Sequence, residues 1–274
     1  MRARRRGRRG RLLVGLVLSL VLTACQEREL TYDEVSTSSM HTKVLTPDAF
    51  DHYEFSSRPG GMSVTAPATN TSGNLRMAFW PAQGPSVVDS ESCATWASES
   101  GGLAQQGVAL RMRIYASGRT RLLTVTRNVW RGGSWIFNFH TWDSAQQPPY
   151  TLLGSVSLDG LLRPGGQLAP LPWHVCGRAV GNRLDVKVWL DGQAEPGYAD
   201  RSHGGGVALP AGWAYPGKAG WYIGHLQPGA SARFERLATY RFVSGETGST
   251  TTTTVGPTTV PLVPLGPLTT SPPP

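Results

Sequence analysis

The chain has 274 residues and a net charge of +8, from 26 Lys and Arg against 18 Asp and Glu. Seven arginines lie in the first 24 residues, and without them 19 basic residues face 18 acidic ones, a net charge of +1. Excess positive charge is what draws a protein to nucleic acid, and the chain beyond residue 24 has almost none, so we predict no nucleic-acid partner.

Residues 1–24 are typical of an export signal. The basic start MRARRRGRRGR precedes LLVGLVLSLVLTA, an apolar run too short to span a bilayer comfortably as a mature helix. The run leads into LTAC at positions 22–25, which resembles the lipobox of a bacterial lipoprotein signal. The resemblance implies a lipidated Cys25 at the mature N-terminus and attachment to the extracytoplasmic face of the cell membrane. Ordinary cleavage without lipid and an uncleaved anchor are the alternatives.

Three further segments follow the leader. Residues 25–45 are polar, and we predict a linker between the lipidated cysteine and a folded body. Residues 46–243 are enough for one large domain and too few for two comfortable ones. Residues 244–274 are rich in Thr and Pro and carry no charge after Glu246, so we predict a disordered tail.

Alternation of apolar residues with a period of two dominates the body. It is clear in Val108–Tyr115 and in Arg183–Leu190, and it predicts strands with one face in a core. In the first of these, the predicted inward residues are Val108, Leu110, Met112 and Ile114. Further strands are predicted at Arg121–Val129, Ser134–Trp142, Thr151–Leu158, His174–Val180, Gly220–Leu226 and Ala232–Phe242. Turn-forming glycines separate them, and the pattern predicts an all-β sandwich or barrel.

Cys93 and Cys176 are the only other cysteines. After export to an oxidising compartment, an even pair most simply forms one disulfide, and two buried free thiols are the alternative. No Cys-x-x-Cys or His-x-x-x-His spacing indicates a metal site, so we predict none.

The segments Arg178–Pro196, Gly217–Gly224 and Ala232–Tyr240 carry a more specific pattern: Lys-x-Trp before a turn and Glu-Pro, then a glycine-flanked strand, then a closing strand. They resemble the last strands of concanavalin A-like jelly rolls, including laminin-G-like domains of secreted bacterial proteins. The resemblance covers about a third of the chain and implies a two-sheet antiparallel jelly-roll sandwich. It also implies that a first strand near residues 50–55 pairs with the closing strand near residues 234–240.

Analogy with laminin-G-like domains allows a calcium ion on loop acids. The acids considered are Asp89, Asp159 and Asp200. The sequence shows no cluster of oxygen ligands around them, and we predict no cofactor.

Enzymes of the same superfamily that cleave glucans use Glu-x-Asp-x-x-Glu, or a close variant, on one strand. This spacing is absent here, as is the Gly-x-Ser-x-Gly elbow of esterases. We therefore predict a non-catalytic binding module. The alternatives are a glycoside hydrolase or lyase with carboxylates from separate strands, and a protein-binding or structural surface protein.

Nine tryptophans are many for a domain of this size. A sugar ring stacks its C–H groups on an aromatic ring while nearby polar side chains meet its hydroxyls. Two clusters offer this combination, and envelope carbohydrate is the predicted ligand. The candidate residues are Trp189, Lys187 and Asp185 in one cluster and Trp142, His140, Asn138 and Asp143 in the other. The alternative is that the Trp189 face lies under a covering loop.

Arginines also concentrate on adjacent predicted strands. They are Arg111, Arg113, Arg119, Arg121, Arg127 and Arg131. We predict a positive stripe there, which would contact anionic polymer or phospholipid headgroups, or simply keep a solvated face soluble.

Overall fold

A computed structural model describes residues 26–33, 39–58 and 60–244. The predictions for the leader, for Cys25 and for the tail from residue 245 lie outside these residues. Within them, the strands form one eight-stranded and one seven-stranded antiparallel sheet, which confirms the predicted jelly-roll sandwich. No helix in the described ranges is long and apolar enough to cross a membrane.

The strands follow one another with little helix between them. In chain order they are β1 (Gln26–Tyr32), β2 (Met40–Thr46), β3 (Glu54–Arg58), β4 (Gly61–Thr65), β5 (Arg76–Pro81), β6 (Ser90–Ser100), β7 (Gln105–Ile114), β8 (Thr120–Arg127), β9 (Ile136–Asp143), β10 (Tyr150–Ser157), β11 (Trp173–Val180), β12 (Arg183–Leu190), β13 (Gly204–Ala208), β14 (Lys218–Gly224) and β15 (Ser231–Ser244). A four-residue helix, α1 (Asp159–Leu162), and 3₁₀ turns at Trp130–Gly132 and Pro164–Gly166 connect some of them.

The eight-stranded sheet, sheet I, has the order β13-β12-β11-β6-β15-β4-β3, with β1 added along β15. The seven-stranded sheet, sheet II, has the order β10-β9-β8-β7-β14-β5-β2. The core lies between them, where Trp96, Trp173 and Trp221 are fully buried. Each such side chain contributes roughly 2–3 kcal/mol through the apolar surface it removes from water.

The N-terminal strands correct the predicted linker at residues 25–45. β1 pairs with the end of β15 and β2 pairs with β5, so this segment belongs to the sandwich. Each strand has one neighbouring strand only, and such edge strands need few apolar residues, which explains their polar sequence. The predicted first strand is corrected too, because β3, which contains Phe55, pairs with β4 and not with β15.

A bulge in β7 corrects the inward face predicted for that strand. Val108 and Leu110 lie in the core, as predicted. The pairing with β8 then shifts between Leu110 and Arg113, and Met112 joins a separate apolar cluster on the outer side of sheet II. Ile114 is 46% exposed. A single extra residue in a strand reverses the faces of all residues after it.

The predicted arginine stripe is corrected at two of its positions, Arg111 and Arg127, which do not lie on the surface. Arg111 is buried and donates to the backbone carbonyls of Val88, Gly181 and Trp213 at 2.7–2.8 Å. Arg127 is buried as well and forms a two-pronged ion pair with Glu99. These guanidinium groups are used inside the fold, because a buried cation is tolerated only when its donors are satisfied.

Candidate functional site

The outer face of sheet I carries the predicted disulfide. Cys93 of β6 and Cys176 of β11 are directly paired residues with a sulfur–sulfur distance of 2.03 Å. Together with Glu91 they form the one group of three metal-ligating residue types found in the described part of the chain. Both sulfurs are in the disulfide and are not available as thiolates, and no such group includes Asp89, Asp159 or Asp200.

The first predicted ligand cluster lies on this face, under a loop. Lys187 is buried, and its Nζ donates to Glu195 Oε1 at 2.5 Å and lies 4.5 Å from the ring centroid of Tyr198. Asp185 is buried and accepts hydrogen bonds from two arginines, Arg178 and Arg183. Lys187 therefore binds the covering loop and Asp185 is engaged by arginines of the sheet, so the prediction that these two residues face a ligand is corrected.

Trp189, the third member of that cluster, is half-buried. Its ring stacks on His174 at a centroid distance of 5.2 Å, at the side of an open cavity of about 260 Å³ beside the disulfide. Ionic groups on this face neutralise one another: Arg28 contacts both Glu91 and Glu195. Burial raises the pKa of Glu91 even though Lys187 and Arg28 oppose it.

The outer face of sheet II has a different character. An apolar layer covers its centre, formed by Ala78, Trp80, Ala109, Met112, Leu122, Trp142 and Tyr222. Next to this layer is a cavity of about 220 Å³, here called the aromatic cavity. It is lined by Arg76, Gln105, Trp130, Asn138, His140, Trp142, Tyr150, Leu152, Tyr222 and His225.

Three residues of the second predicted cluster meet in this cavity. Asn138, His140 and Trp142 are alternate residues of β9, so they share its outer face. Asp143 follows Trp142 and points to the other side, where it is buried and pairs with Arg119 and Arg121. The hydrogen bond from Arg119 lowers the pKa of Asp143. The prediction that Asp143 belongs to the cluster is therefore corrected.

Aromatic rings form the floor and walls of the cavity. Trp142 is the floor, only 4% exposed, with its Nε1 donating to Thr124 Oγ1 at 2.9 Å. Tyr150 is 37% exposed, with its ring centroid 5.1 Å from that of Trp142. Trp130 is 59% exposed and meets the His225 ring edge-to-face at 5.5 Å. The exposed platforms are thus Trp130 and Tyr150.

Hydrogen bonds orient the polar groups of the cavity. The Tyr222 hydroxyl donates to Gln105 Oε1 at 2.6 Å, and the Ser155 hydroxyl donates to Asn138 Oδ1 at 2.7 Å. Since both amide oxygens are engaged, the two amide nitrogens are left as donors. His225 Nδ1 donates to the carbonyl oxygen of Gly73 at 2.9 Å, so its Nε2 carries the lone pair.

Both histidines of the cavity are neutral at pH 7. Burial, assisted by the charge of Arg76, lowers the pKa of His140 and that of His225 to about 4. Arg76 is half-buried, and its Nη1 donates to Thr46 Oγ1 at 3.0 Å. Its guanidinium carbon lies 5.7 Å from the ring centroid of Tyr150.

Comparison with known proteins gives the fold and no family. No family model and no curated protein matches the sequence. Among solved structures, a Bacillus subtilis protein of unknown function with a galectin-like fold has a TM-score of 0.50 at 11% identity, covering 80% of this chain and 99% of that one. The fold is a lectin-like jelly roll.

Two further structures have lower TM-scores. The CBM2 module of the evolved Dit of Lactobacillus casei BL23 phage J-1 has a TM-score of 0.48 at 12% identity, with 79% of this chain and 97% of that chain covered. The exoplasmic/lumenal domain of VIP36, bound to Ca²⁺ and Man3GlcNAc, has a TM-score of 0.48 at 9% identity, with 81% and 91% covered.

Several cavity residues of this lectin-like sandwich were missed in the sequence. Arg76 belongs to β5 and Gln105 to β7, and both lie in residues 56–107, where no strand was predicted. Tyr150 and His225 lie at the ends of predicted strands, where no pattern distinguishes a site residue from a turn residue. The alternation Arg76-x-Ala78-x-Trp80 is a signal that would have placed Arg76 on the outer face.

Proposed function

We propose that the chain is a lipid-anchored, extracytoplasmic binding module without catalytic activity, and that carbohydrate of the cell envelope binds in the aromatic cavity. One observation carries the proposal: the exposed rings of Trp130 and Tyr150 flank amide groups whose oxygens are already engaged. Such rings stack on the C–H faces of a sugar, and amide N–H groups meet its hydroxyl oxygens.

The size of the cavity suits a short stretch of a longer polymer. Its volume of about 220 Å³ is below the roughly 300–1,000 Å³ of pockets that enclose whole drug-sized ligands. Leu152, 55% exposed, extends the apolar wall next to Tyr150. A polysaccharide lying across sheet II would therefore place one part in the cavity and the rest over the neighbouring surface.

The composition of the lining supports binding over hydrolysis. A glycoside hydrolase needs two carboxyl groups, roughly 5–10 Å apart, on either side of the bond it cleaves. Within the described residues, no Asp or Glu lines the aromatic cavity. The two amides, the two neutral histidines and Arg76 can hold a sugar, and none of them replaces a carboxylate nucleophile.

Membrane attachment is the second part of the proposal, and it is supported by the LTAC motif at positions 22–25. Because β1 begins at Gln26, a lipid on Cys25 would hold the sandwich close to the membrane without a long spacer. We expect wild-type cells to incorporate labelled palmitate into the chain, and Cys25→Ser to abolish the label and release the chain from the membrane fraction. Unchanged membrane retention of Cys25→Ser would contradict lipidation.

Carbohydrate binding is tested with the full chain, purified in mild detergent and applied to a glycan array. Titration calorimetry then measures the affinity for each glycan that binds. We expect Trp130→Ala and Tyr150→Ala each to weaken binding by about tenfold, since each removes a stacking surface. Trp189→Ala, on the outer face of sheet I, is the matched control and should bind like the wild type.

Two outcomes would overturn this assignment. One is an array on which no glycan binds. The other is loss of binding in Trp189→Ala with wild-type affinity in Trp130→Ala and Tyr150→Ala, which would move the site to sheet I.

A further inference from the structure

The aromatic cavity contains one ionised group, Arg76. Its other lining residues are uncharged: amides, aromatic rings, a leucine and the two histidines, whose pKa values are lowered to about 4. Burial also raises the pKa of the Tyr222 hydroxyl, so that hydroxyl is neutral as well. The cavity therefore presents a single positive charge to its ligand.

Arg76 differs from other partly buried arginines in having no acidic partner. Arg28 pairs with Glu91 and Glu195, and Arg178 pairs with Asp185. For Arg76, no carboxylate of the described residues lies within 4.0 Å, and its side-chain hydrogen bonds go to the neutral hydroxyl groups of Thr46 and Tyr222.

The acids that precede β5 are used elsewhere. Asp51 accepts hydrogen bonds from the backbone N–H groups of Thr71 and Ser72, and Asp48 accepts one from that of Asn74. These carboxylates bind backbone N–H groups of the loop before β5, and neither of them forms an ion pair with Arg76 within 4.0 Å. Its positive charge is left for the cavity.

A half-buried cation without an anion has consequences for ligand choice. The aromatic walls exclude part of the water that would otherwise solvate the guanidinium. A neutral sugar replaces this water with uncharged hydrogen bonds only. An oxyanion accepts charge-assisted hydrogen bonds, which the planar guanidinium can donate in pairs. Such bonds are about twice as strong as those between neutral groups.

We infer that the ligand of the aromatic cavity is an acidic carbohydrate, one whose carboxylate or sulfate group pairs with Arg76. This rests on the proposed function, since it specifies the class of glycan bound at the same site. The aromatic rings hold the face of the sugar, the amides meet its hydroxyls, and Arg76 selects for the negative charge.

The test compares oligosaccharides with one backbone and different charge. The probes are cello-oligosaccharides, their C6-oxidised forms, which carry carboxylates, and their C6-sulfated forms. We expect one or both acidic forms to bind the full chain at least about tenfold more tightly than the neutral form, with an advantage that shrinks as salt is added. The form with the larger advantage identifies the oxyanion.

Arg76 variants assign the preference to this residue. Arg76→Gln keeps a hydrogen-bond donor without the charge, and its affinity for the acidic form should fall about tenfold further than its affinity for the neutral form. Arg76→Lys keeps the charge and should retain part of the preference. Arg236→Gln is the control, because Arg236 is an exposed arginine beside the cavity of sheet I. Thermal unfolding of each variant checks that the fold is intact.

The outcomes separate this inference from the proposed function. Equal affinity for neutral and acidic forms, or an acidic preference that persists in Arg76→Gln, overturns the inference and leaves carbohydrate binding in place. Absence of binding to the three probes and to every glycan of the array overturns both. New ultraviolet absorbance with the oxidised form would indicate an unsaturated uronate product. This result would support the acidic ligand and would show that the chain is a lyase and not a non-catalytic binding module.

Discussion

The outer faces of the two sheets contain similar residue types and use them differently. On sheet I, charged groups neutralise one another: Lys187 with Glu195, and Arg178 with Asp185. On sheet II, Arg76 has no such partner among the described residues and lies beside exposed aromatic rings. A tryptophan flanked by polar residues therefore indicates a binding surface only where the fold itself does not already satisfy those polar groups.

The largest effect expected from a substitution concerns the disulfide of sheet I. Cys93→Ser with Cys176→Ser should lower the free energy of unfolding by about 4 kcal/mol, because the bridge closes a loop between residues 83 positions apart. Urea unfolding measures this decrease in the free energy of unfolding. The wild type treated with dithiothreitol should show the same decrease. Glycan affinity should not change. A loss below about 1 kcal/mol, or a large change in affinity, would contradict the division between the two faces.

Acidic pH should lower the free energy of unfolding through the two histidines of the aromatic cavity. His140 and His225 have folded pKa values near 4, below the unfolded value of about 6.5, so the unfolded state binds protons first as the pH falls. Their stabilising contribution is complete above pH 6.5 and is lost between pH 6.5 and 4. Each histidine should account for about 2–3 kcal/mol between pH 7 and pH 4.5.

The measurement is the free energy of unfolding at a series of pH values. His225→Gln should remove about half of the combined loss, because glutamine does not titrate. His203→Gln is the control, since His203 lies in the loop before β13 and is not among the residues that line the aromatic cavity. If His225→Gln shows the same pH dependence as the wild type, His225 is not a buried neutral residue.

A smaller effect is expected from the ion pair that holds the covering loop of sheet I. Lys187→Met removes one of the two cationic partners of Glu195, whose side chain is 40% exposed, and leaves the ion pair with Arg28. We expect a loss of about 1–2 kcal/mol in unfolding free energy, less than for a fully buried pair because water still reaches Glu195. A double-mutant cycle with Glu195→Gln isolates the pair. Glycan affinity should stay at the wild-type value. A tenfold decrease in affinity would indicate that Lys187 belongs to the ligand-binding site.

The smallest effect on stability should come from the residue expected to matter for binding. Trp130 is 59% exposed, so Trp130→Ala should change the free energy of unfolding by no more than about 0.5 kcal/mol. The same variant should weaken glycan binding by about tenfold. Denaturation and calorimetry on one preparation measure both. A stability loss above about 2 kcal/mol would indicate that Trp130 packs as part of the fold and not as a binding surface.

Local sequence patterns predicted much of the fold because the inward face of a strand follows from its own alternation. β12 is found where Arg183–Leu190 predicted it, with Leu184 and Val186 in the core. The alternation pattern failed where the neighbouring strands decide whether a segment is a strand and which face its residues occupy. β1 and β2 are polar because they are edge strands, and β7 changes faces at a bulge that no local alternation announces.

The sequence by itself determined the class of the fold, the one disulfide and three cavity residues, Asn138, His140 and Trp142, because each depends on spacing along one strand or on a count of cysteines. Only the tertiary structure decided which aromatic cluster is open. It covers Lys187 with a loop, pairs Asp185 and Asp143 with arginines, and brings Arg76 from β5 to the ring of Tyr150 on β10. The physical reason is that the pairing of charges depends on which strands and loops pack together, and residues distant along the chain supply the partners.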